Sequence, residues 1–339
     1  MHAAVITTPG SIAVQELPDP TPERHEVVVA PRAVGICGTD LHIIDGEFPP
    51  APYPLVPGHE FAGEVVACGG DVRGLSVGDR VAVDPSLFCG TCTYCRRQRG
   101  NLCENWGAIG DTVDGAFAEL VTVPSANAYV IPDDMSWGAA ALVEPLSCVV
   151  HGLRRLAMPA GSELLIVGAG TIGLLLLQAA QHSGAASVSV IDHDPARRAL
   201  AVGMGAHAVA ASAEELMGDR KQGFEFSIEA TGVPAAAPAA LTSLCRGGTM
   251  LVFGVAPPDA QLPISQFQVY NDEISVIGSM AVLNTFEPAM RLMAAGAIDA
   301  SAMLTHRLPL ARFSEAVDLV RSREGLKIQL DPAAPSEAP

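Results

Sequence analysis

Basic residues are scarce in this chain. Lys and Arg number 20 against 37 Asp and Glu, giving a formal net charge of −17, and a nucleic-acid surface needs clustered cations that so acidic a chain does not offer. The deficit leaves room for a small anionic ligand, because helix N-termini and backbone N–H groups bind phosphate locally. A membrane-spanning run is also missing. The most apolar stretch, Leu164 to Leu177, is shorter than the ~20 residues a span needs, and Gly168, Gly170 and Gly173 interrupt it. The first residues, Met1-His2-Ala3-Ala4-Val5-Ile6-Thr7, lack the basic-then-apolar layout of a secretion signal. The expectation is a cytoplasmic chain with neither a nucleic-acid nor a membrane partner.

What is present is enough for two domains: 339 residues, 49% of them hydrophobic, with 33 Gly and 26 Pro marking many turns. Of eight cysteines, four fall together as C-x2-C-x2-C-x7-C at Cys89, Cys92, Cys95 and Cys103. Thiolates at these separations can wrap one tetrahedral ion with no open position, as structural zinc is held. An iron–sulfur cluster is the competing use of four thiolates. With every position filled by protein, such a metal stiffens a lobe over residues 86–106 and does no chemistry.

A second constellation carries chemistry. Gly35-Ile36-Cys37-Gly38-Thr39-Asp40-Leu41-His42 follows a Val-rich strand, Val27 to Ala30, and sets a thiol, a hydroxyl and an imidazole within two turns. The Thr39-Asp40 pair can also cap a short helix. Pro57-Gly58-His59-Glu60 adds a nitrogen ligand and a carboxylate at a backbone bend, and residues 115–119 return the chain to a strand. Glu144 then stands in apolar company in Val143-Glu144-Pro145-Leu146-Ser147, where a carboxylate is expensive unless paired or bound to a cation. A Glu opening a helix just before Pro is the alternative. Cys148 reads as a core thiol.

Near residue 152 the rhythm changes to alternating strands and helices. Ser162 to Val167 is a continuous apolar strand of the kind a buried parallel sheet uses. Gly168-Ala169-Gly170-Thr171-Ile172-Gly173 leads from it into a helix, and the next strand ends in Asp192, nineteen residues past Gly173. Glycine loop, helix and terminal acid together make a dinucleotide site: the loop backbone, with Thr171 and Ile172 opening the helix, meets the pyrophosphate, and Asp192 meets the adenosine ribose. That carboxylate repels a 2′-phosphate, so NAD is preferred to NADP, while Arg197 lies over the adenine or reaches a phosphate. Thr231, Val255, Ser279 and Met280 follow later strands and are candidates near the nicotinamide half, with ordinary turn chemistry as the equal alternative. Lys327, in the closing strand, is a candidate to reach the pyrophosphate, with a surface lysine as the safer reading. Residues 331–339 are expected to be disordered.

These motifs, in this order, resemble the zinc-dependent medium-chain dehydrogenases, and the chain is similar to their polyol (sorbitol-type) branch. Ile36 to Ile43 is also similar to threonine dehydrogenases, and Val143 to Ser147 to polyol or butanediol dehydrogenases. The resemblance implies an α/β chain: a GroES-like β-barrel catalytic domain over 1–151, a doubly wound Rossmann NAD domain over 152–286, and a return to the catalytic domain over 287–330. It further implies NAD and two zinc ions per subunit. Cys37, His59 and Glu60 would hold the catalytic zinc, with Glu144 touching it directly or through water. Thr39 and His42 would relay the proton, and Asp192 would select NAD. Oxidation of a polyol's secondary alcohol to a ketose by a homodimer or homotetramer is the implied function. Threonine or 2,3-butanediol oxidation is its neighbour, and a non-catalytic NAD-binding protein the remote alternative.

Overall fold

The computed structural model describes residues 1–218 and 222–335. Two compact units divide the chain. The first comprises Met1–Ser147, Val282–Ala295 and the chain from Ala300 on; the second comprises Cys148–Ala281 and Gly296–Asp299.

In the first unit the valine-rich strand runs from Glu26 to Gly35 and is the spine of a seven-stranded sheet. On one edge it pairs antiparallel with Glu60–Cys68, placing Gly35 opposite Glu60. On the other it pairs with Val121–Pro124 and, at its far end, with the closing strand Lys327–Asp331. Side chains alternate across the sheet, with register shifts at Val28–Val29 and Pro31–Ala33, and Val27, Val29 and Val34 enter a core with Phe61, Val65, Phe117 and Phe313. The rings of Phe117 and Phe313 meet edge-on at 5.0 Å. A short ladder, Ser86–Leu87 against Gly107–Ala108, closes the base of the four-cysteine lobe.

Two expectations fail in this unit. Residues 115–119 form no strand beyond a single bridge at Ala118. Their N–H groups instead bind the chain before His59, with Gly115 donating to Val56, Ala116 to Gly58 and Phe117 to Pro57 at 2.7–3.0 Å. The tail also begins later than Asp331, which ends the closing strand and accepts from Arg307 at 2.6 Å; residues 336–339 of that expected tail lie outside the described residues.

The second unit is a six-stranded parallel sheet in the order Ala208–Ala210, Ser187–Ile191, Glu163–Val167, Phe224–Glu229, Leu244–Val252, Ser275–Gly278. Chain order therefore reverses between Glu163–Val167 and Phe224–Glu229, and the crevice beyond the carboxyl ends of such a pair is where open sheets bind ligands. Leu164, Leu165 and Ile166 are fully buried, as a sheet covered on both faces demands.

Candidate metal centre and dinucleotide loop

The first centre is assembled by strand register. Beyond Gly35 the chain leaves the sheet and Cys37 caps the helix Gly38–Asp45, its own N–H donating to the Asp40 carboxylate at 2.8 Å. Across the ladder the chain bends at Gly58, whose φ of +101° suits glycine, and His59 leads into Glu60, which opens the neighbouring strand. Gly35 faces Glu60 with no side chain, and a Cβ there would lie 2.2 Å from Glu60 Oε2. The Cys37 thiol, a His59 ring nitrogen and a Glu60 carboxylate oxygen consequently lie within 4.8 Å of one another, with His59 and Glu60 buried. Sulfur, nitrogen and oxygen donors at this spacing suit zinc.

The surroundings are dominated by carboxylates. Nδ1 of His59 is 3.0 Å from Asp111 Oδ1 and 3.5 Å from Asp40 Oδ1. Burial alone would push the imidazole pKa down, but Asp111 and Asp40 more than offset this and hold it well above its ordinary value. Burial pushes Asp40 up to about 6. One cation is built in: Lys327 Nζ donates to Glu60 and, at 3.1 Å, to the Ile36 carbonyl. The carboxylates Asp40, Glu60 and Asp111 still outnumber Lys327 and His59, so a divalent cation would offset the excess.

The second centre holds four free thiols, Cys89, Cys92, Cys95 and Cys103, again within 4.8 Å. Backbone N–H groups of Cys92, Cys95 and Asn105 aim at the sulfurs of Cys89, Cys92 and Cys103 at 3.3–3.5 Å. With the Thr91 hydroxyl, such bonds pull Cys89 down to about 5, whereas burial pushes Cys95 up to about 12. Thiolates favoured by N–H groups are the form a metal takes.

In the second unit, Gly168 (φ +104°) packs on Thr231 and Gly173 on the Gly168 carbonyl, where a Cβ would lie 1.8 Å from the oxygen. The helix Thr171–His182 starts at Gly170, which brings no side chain to its first N–H groups, and this is the geometry that receives a phosphate. Asp192 is buried, with Oδ2 accepting from Ala169 N–H at 2.7 Å and Oδ1 from Asp194 N–H at 2.9 Å. A Cβ on Gly170 would be 3.9 Å from Arg197 Nη1, which puts the guanidinium beside the loop.

Residues 23–133 match the alcohol dehydrogenase GroES-like domain, and residues 171–295 match the zinc-binding dehydrogenase domain. The chain is 35% identical to D-arabinitol dehydrogenase 1 of Uromyces fabae over 341 residues, covering 98% of this chain and 97% of the relative. It is 36% identical to an L-threonine 3-dehydrogenase of Saccharopolyspora erythraea over 350 residues, covering 98% and 99%. Among solved structures, a Sinorhizobium meliloti protein determined with NADP bound superposes with a TM-score of 0.93 at 34% identity, covering 98% and 99%. The chain belongs to the zinc-binding alcohol dehydrogenase family.

A GroES-like unit and a Rossmann-type unit are thus the two bodies of this alcohol dehydrogenase chain, and its substrates are small-molecule alcohols. No helix among the described residues is long and apolar enough to cross a membrane. Cys37, His59 and Glu60 come together, whereas Glu144 does not enter their group; it is buried in the first turn of the helix Val143–Leu156, the helix-start position that Pro145 permits. Thr39 lies 3.9 Å from the Cys37 sulfur, and His42, one turn on, has a half-exposed ring bound to Glu47 at 2.8 Å.

One cofactor candidate is corrected, and a second shows the turn chemistry that stood as its equal alternative. Lys327 is neither on the surface nor free to reach a pyrophosphate, because burial in the sheet commits its ammonium to Glu60. The Thr231 hydroxyl donates to Glu229 and accepts from Val233 N–H at 2.9 Å, which is turn chemistry. Val255 and Met280 are exposed, and Ser279 donates its N–H to the Val252 carbonyl at 3.2 Å. Cys148 is half-buried and not in the core.

Three acids hold positions beside these sites that the sequence did not assign to them. Asp40, read there only as part of a helix cap, accepts from the Cys37 N–H and also faces His59. Glu229, buried at the end of the strand beside the glycine loop, accepts from Thr231 and Gly232 N–H groups at 2.7 and 3.1 Å; an acid closing an apolar strand was its signal. Asp111 had no signal at all.

Proposed function

We propose that this enzyme oxidises a secondary alcohol of a polyol to a ketose and passes the hydride to NAD. The buried Cys37–His59–Glu60 group carries the reading. Zinc held there would act as a Lewis acid that lowers the pKa of a substrate hydroxyl. Around it this chain's residues have separable tasks. Thr39 accepts the hydroxyl proton as it gives up its own, and His42, half-exposed one turn along the same helix, delivers the relayed proton to water. Cys37, His59 and Glu60 leave space for an added ligand, which suits the second hydroxyl of a vicinal diol, and Glu144 acts close to the metal and not as one of the three grouped donors. Gly168, Gly170, Thr171, Ile172 and Gly173 cradle the pyrophosphate, Arg197 flanks it, and Asp192 bonds the ribose. Asp192 favours NAD; the NADP-bound relative makes NADP the comparison to run.

Cys89, Cys92, Cys95 and Cys103 hold a structural zinc in this reading, and the enzyme is cytoplasmic. A homo-oligomer forms through the Ser275–Gly278 strand, last in the sheet order and preceded by the exposed Phe267 and Tyr270, since an unpaired edge invites a second copy. The polyol substrate is supported by the D-arabinitol relative. The similarly identical threonine 3-dehydrogenase favours a second reading, threonine or another small secondary alcohol such as 2,3-butanediol, with unchanged chemistry.

The test is NADH formation with sorbitol, xylitol, arabitols, ribitol, threonine and 2,3-butanediol, each repeated with NADP. Turnover of one polyol with NAD supports the reading. Turnover of threonine or butanediol alone removes the polyol and keeps the mechanism. No turnover by zinc-loaded protein on any alcohol points to the non-catalytic alternative.

A further inference from the structure

Asp111 is the closest carboxylate to His59 Nδ1, and the fold goes to some length to put it there. It sits in the turn that follows the base of the four-cysteine lobe, where Asp111 and Thr112 N–H both donate to the Ala108 carbonyl. The segment after it lies backbone to backbone on the chain leading to His59, through the Gly115, Ala116 and Phe117 bonds already described. Two glycines make that approach possible. A Cβ on Gly110 would fall 2.5 Å from the Gly58 carbonyl carbon, and one on Gly115 would fall 2.5 Å from the Gly58 oxygen.

Asp40 and Asp111 are not equivalent toward the ring. Asp40 spends Oδ2 on the Cys37 N–H, and its Oδ1 stands off at 3.5 Å. Asp111 Oδ1 is at 3.0 Å, and it, His59 Nδ1 and Asp40 Oδ1 all lack a well-angled hydrogen bond to any described group. A small ring rotation would pair Nδ1 with the nearer of the two acceptors, Asp111 Oδ1, and buried polar atoms are rarely left unpaired.

We propose that Asp111 is the positioning residue of the metal centre: it accepts the hydrogen bond from His59 Nδ1–H, fixes that tautomer, and leaves Nε2 as the nitrogen for the metal. The assignment rests on the reading of Cys37, His59 and Glu60 as the metal ligands. A ligating imidazole held by a carboxylate on its other nitrogen is better oriented and more basic, and loss of such a partner typically weakens metal binding by about 10- to 100-fold. Asp40 then has a separate task, fixing the helix that presents Cys37.

The experiment uses full-length protein whose non-lobe metal has been exchanged for Co2+, with affinity read by chelator competition and geometry by the visible thiolate–cobalt bands. Wild type is expected to show bands that Cys37→Ser abolishes. Asp111→Leu, similar in size but with no acceptor, is expected to weaken Co2+ by about 10- to 100-fold and shift the bands. Asp111→Asn, whose amide oxygen can still accept, should recover most of both. If Asp111→Leu does not fold, Asp111→Ala takes its place. Wild-type affinity and bands in the leucine or alanine variant would overturn the proposal. So would equal losses in the leucine and asparagine variants accompanied by loss of lobe zinc, the mark of a merely structural role. Wild type without any Cys37-dependent band would overturn the ligand reading itself, and the role of Asp111 with it.

Discussion

Lys327 and Glu60 form an ion pair between two strands that do not pair with each other. They flank the Glu26–Gly35 strand on opposite edges, and their side chains, 4% and 3% exposed, meet past its end beside Gly35. Removing one member of a buried pair strands the other charge at about 3–5 kcal/mol. Lys327→Met is therefore expected to lower Tm in calorimetry, and more so in metal-free protein, because a bound cation also neutralises Glu60. Adding Glu60→Gln should restore part of the loss. An unchanged Tm in the single variant would mean that Glu60 has another neutralising partner.

Gly35→Ala tests the geometry of the same corner without touching a charge. The new Cβ would collide with Glu60 Oε2, so the carboxylate must swing away from Cys37 and His59. Metal analysis is expected to show loss of one of the two metals, with the four-cysteine site still loaded. Full occupancy of both would show that Glu60 is not a needed donor.

The two metal centres should be separable by single thiol replacements. Cys37→Ser is expected to abolish turnover while keeping the lobe metal and nearly all thermal stability. Cys103→Ser should empty the lobe and lower Tm. It should also weaken the other centre, because the lobe closes at Gly107–Ala108 directly before Asp111. Full activity in the Cys37 variant would refute the catalytic assignment, and unchanged affinity at the first centre in the Cys103 variant would show the two to be independent.

Asp192 should govern cofactor choice. Hydrogen bonds to a charged group contribute about 1.5–3 kcal/mol, so Asp192→Ala is expected to reduce kcat/KM for NAD by roughly 10- to 100-fold while raising the NADP/NAD ratio. Its carboxylate also holds the Ala169 and Asp194 N–H groups, so loss with both cofactors is expected alongside the change in preference. An unchanged ratio would leave Asp192 as a loop brace only.

Tyr270 is 83% exposed on the helix before the sheet's last strand. If that edge is where a second copy pairs, Tyr270→Glu with Val276→Lys is expected to convert the oligomer to monomer in light scattering, leaving each chain folded. Persistence of the native size would place the interface elsewhere.

The sequence alone was enough for the local features. Cysteine spacing marks the lobe, because four thiolates within fifteen residues of chain can close round a single metal centre. The glycine loop is legible because each glycine answers a local demand, a positive φ at Gly168 or a backbone contact at Gly173. Apolar runs announce the parallel sheet for a similar reason, since burial on both faces leaves no polar alternation. Tertiary structure decided everything that depends on which segments meet. Lys327 changes from a surface cation to the partner of Glu60 because its strand is added to the sheet 267 residues later in the chain. Asp111 reaches His59 only because Gly110 and Gly115 let two irregular segments lie against each other, a contact with no periodicity to read. Glu144 carries a site-like motif, yet its helix sets it outside the grouped donors. Local chemistry is written in spacing, whereas the charge balance of a buried centre is fixed by strand order and register, which bring together residues that no short stretch contains.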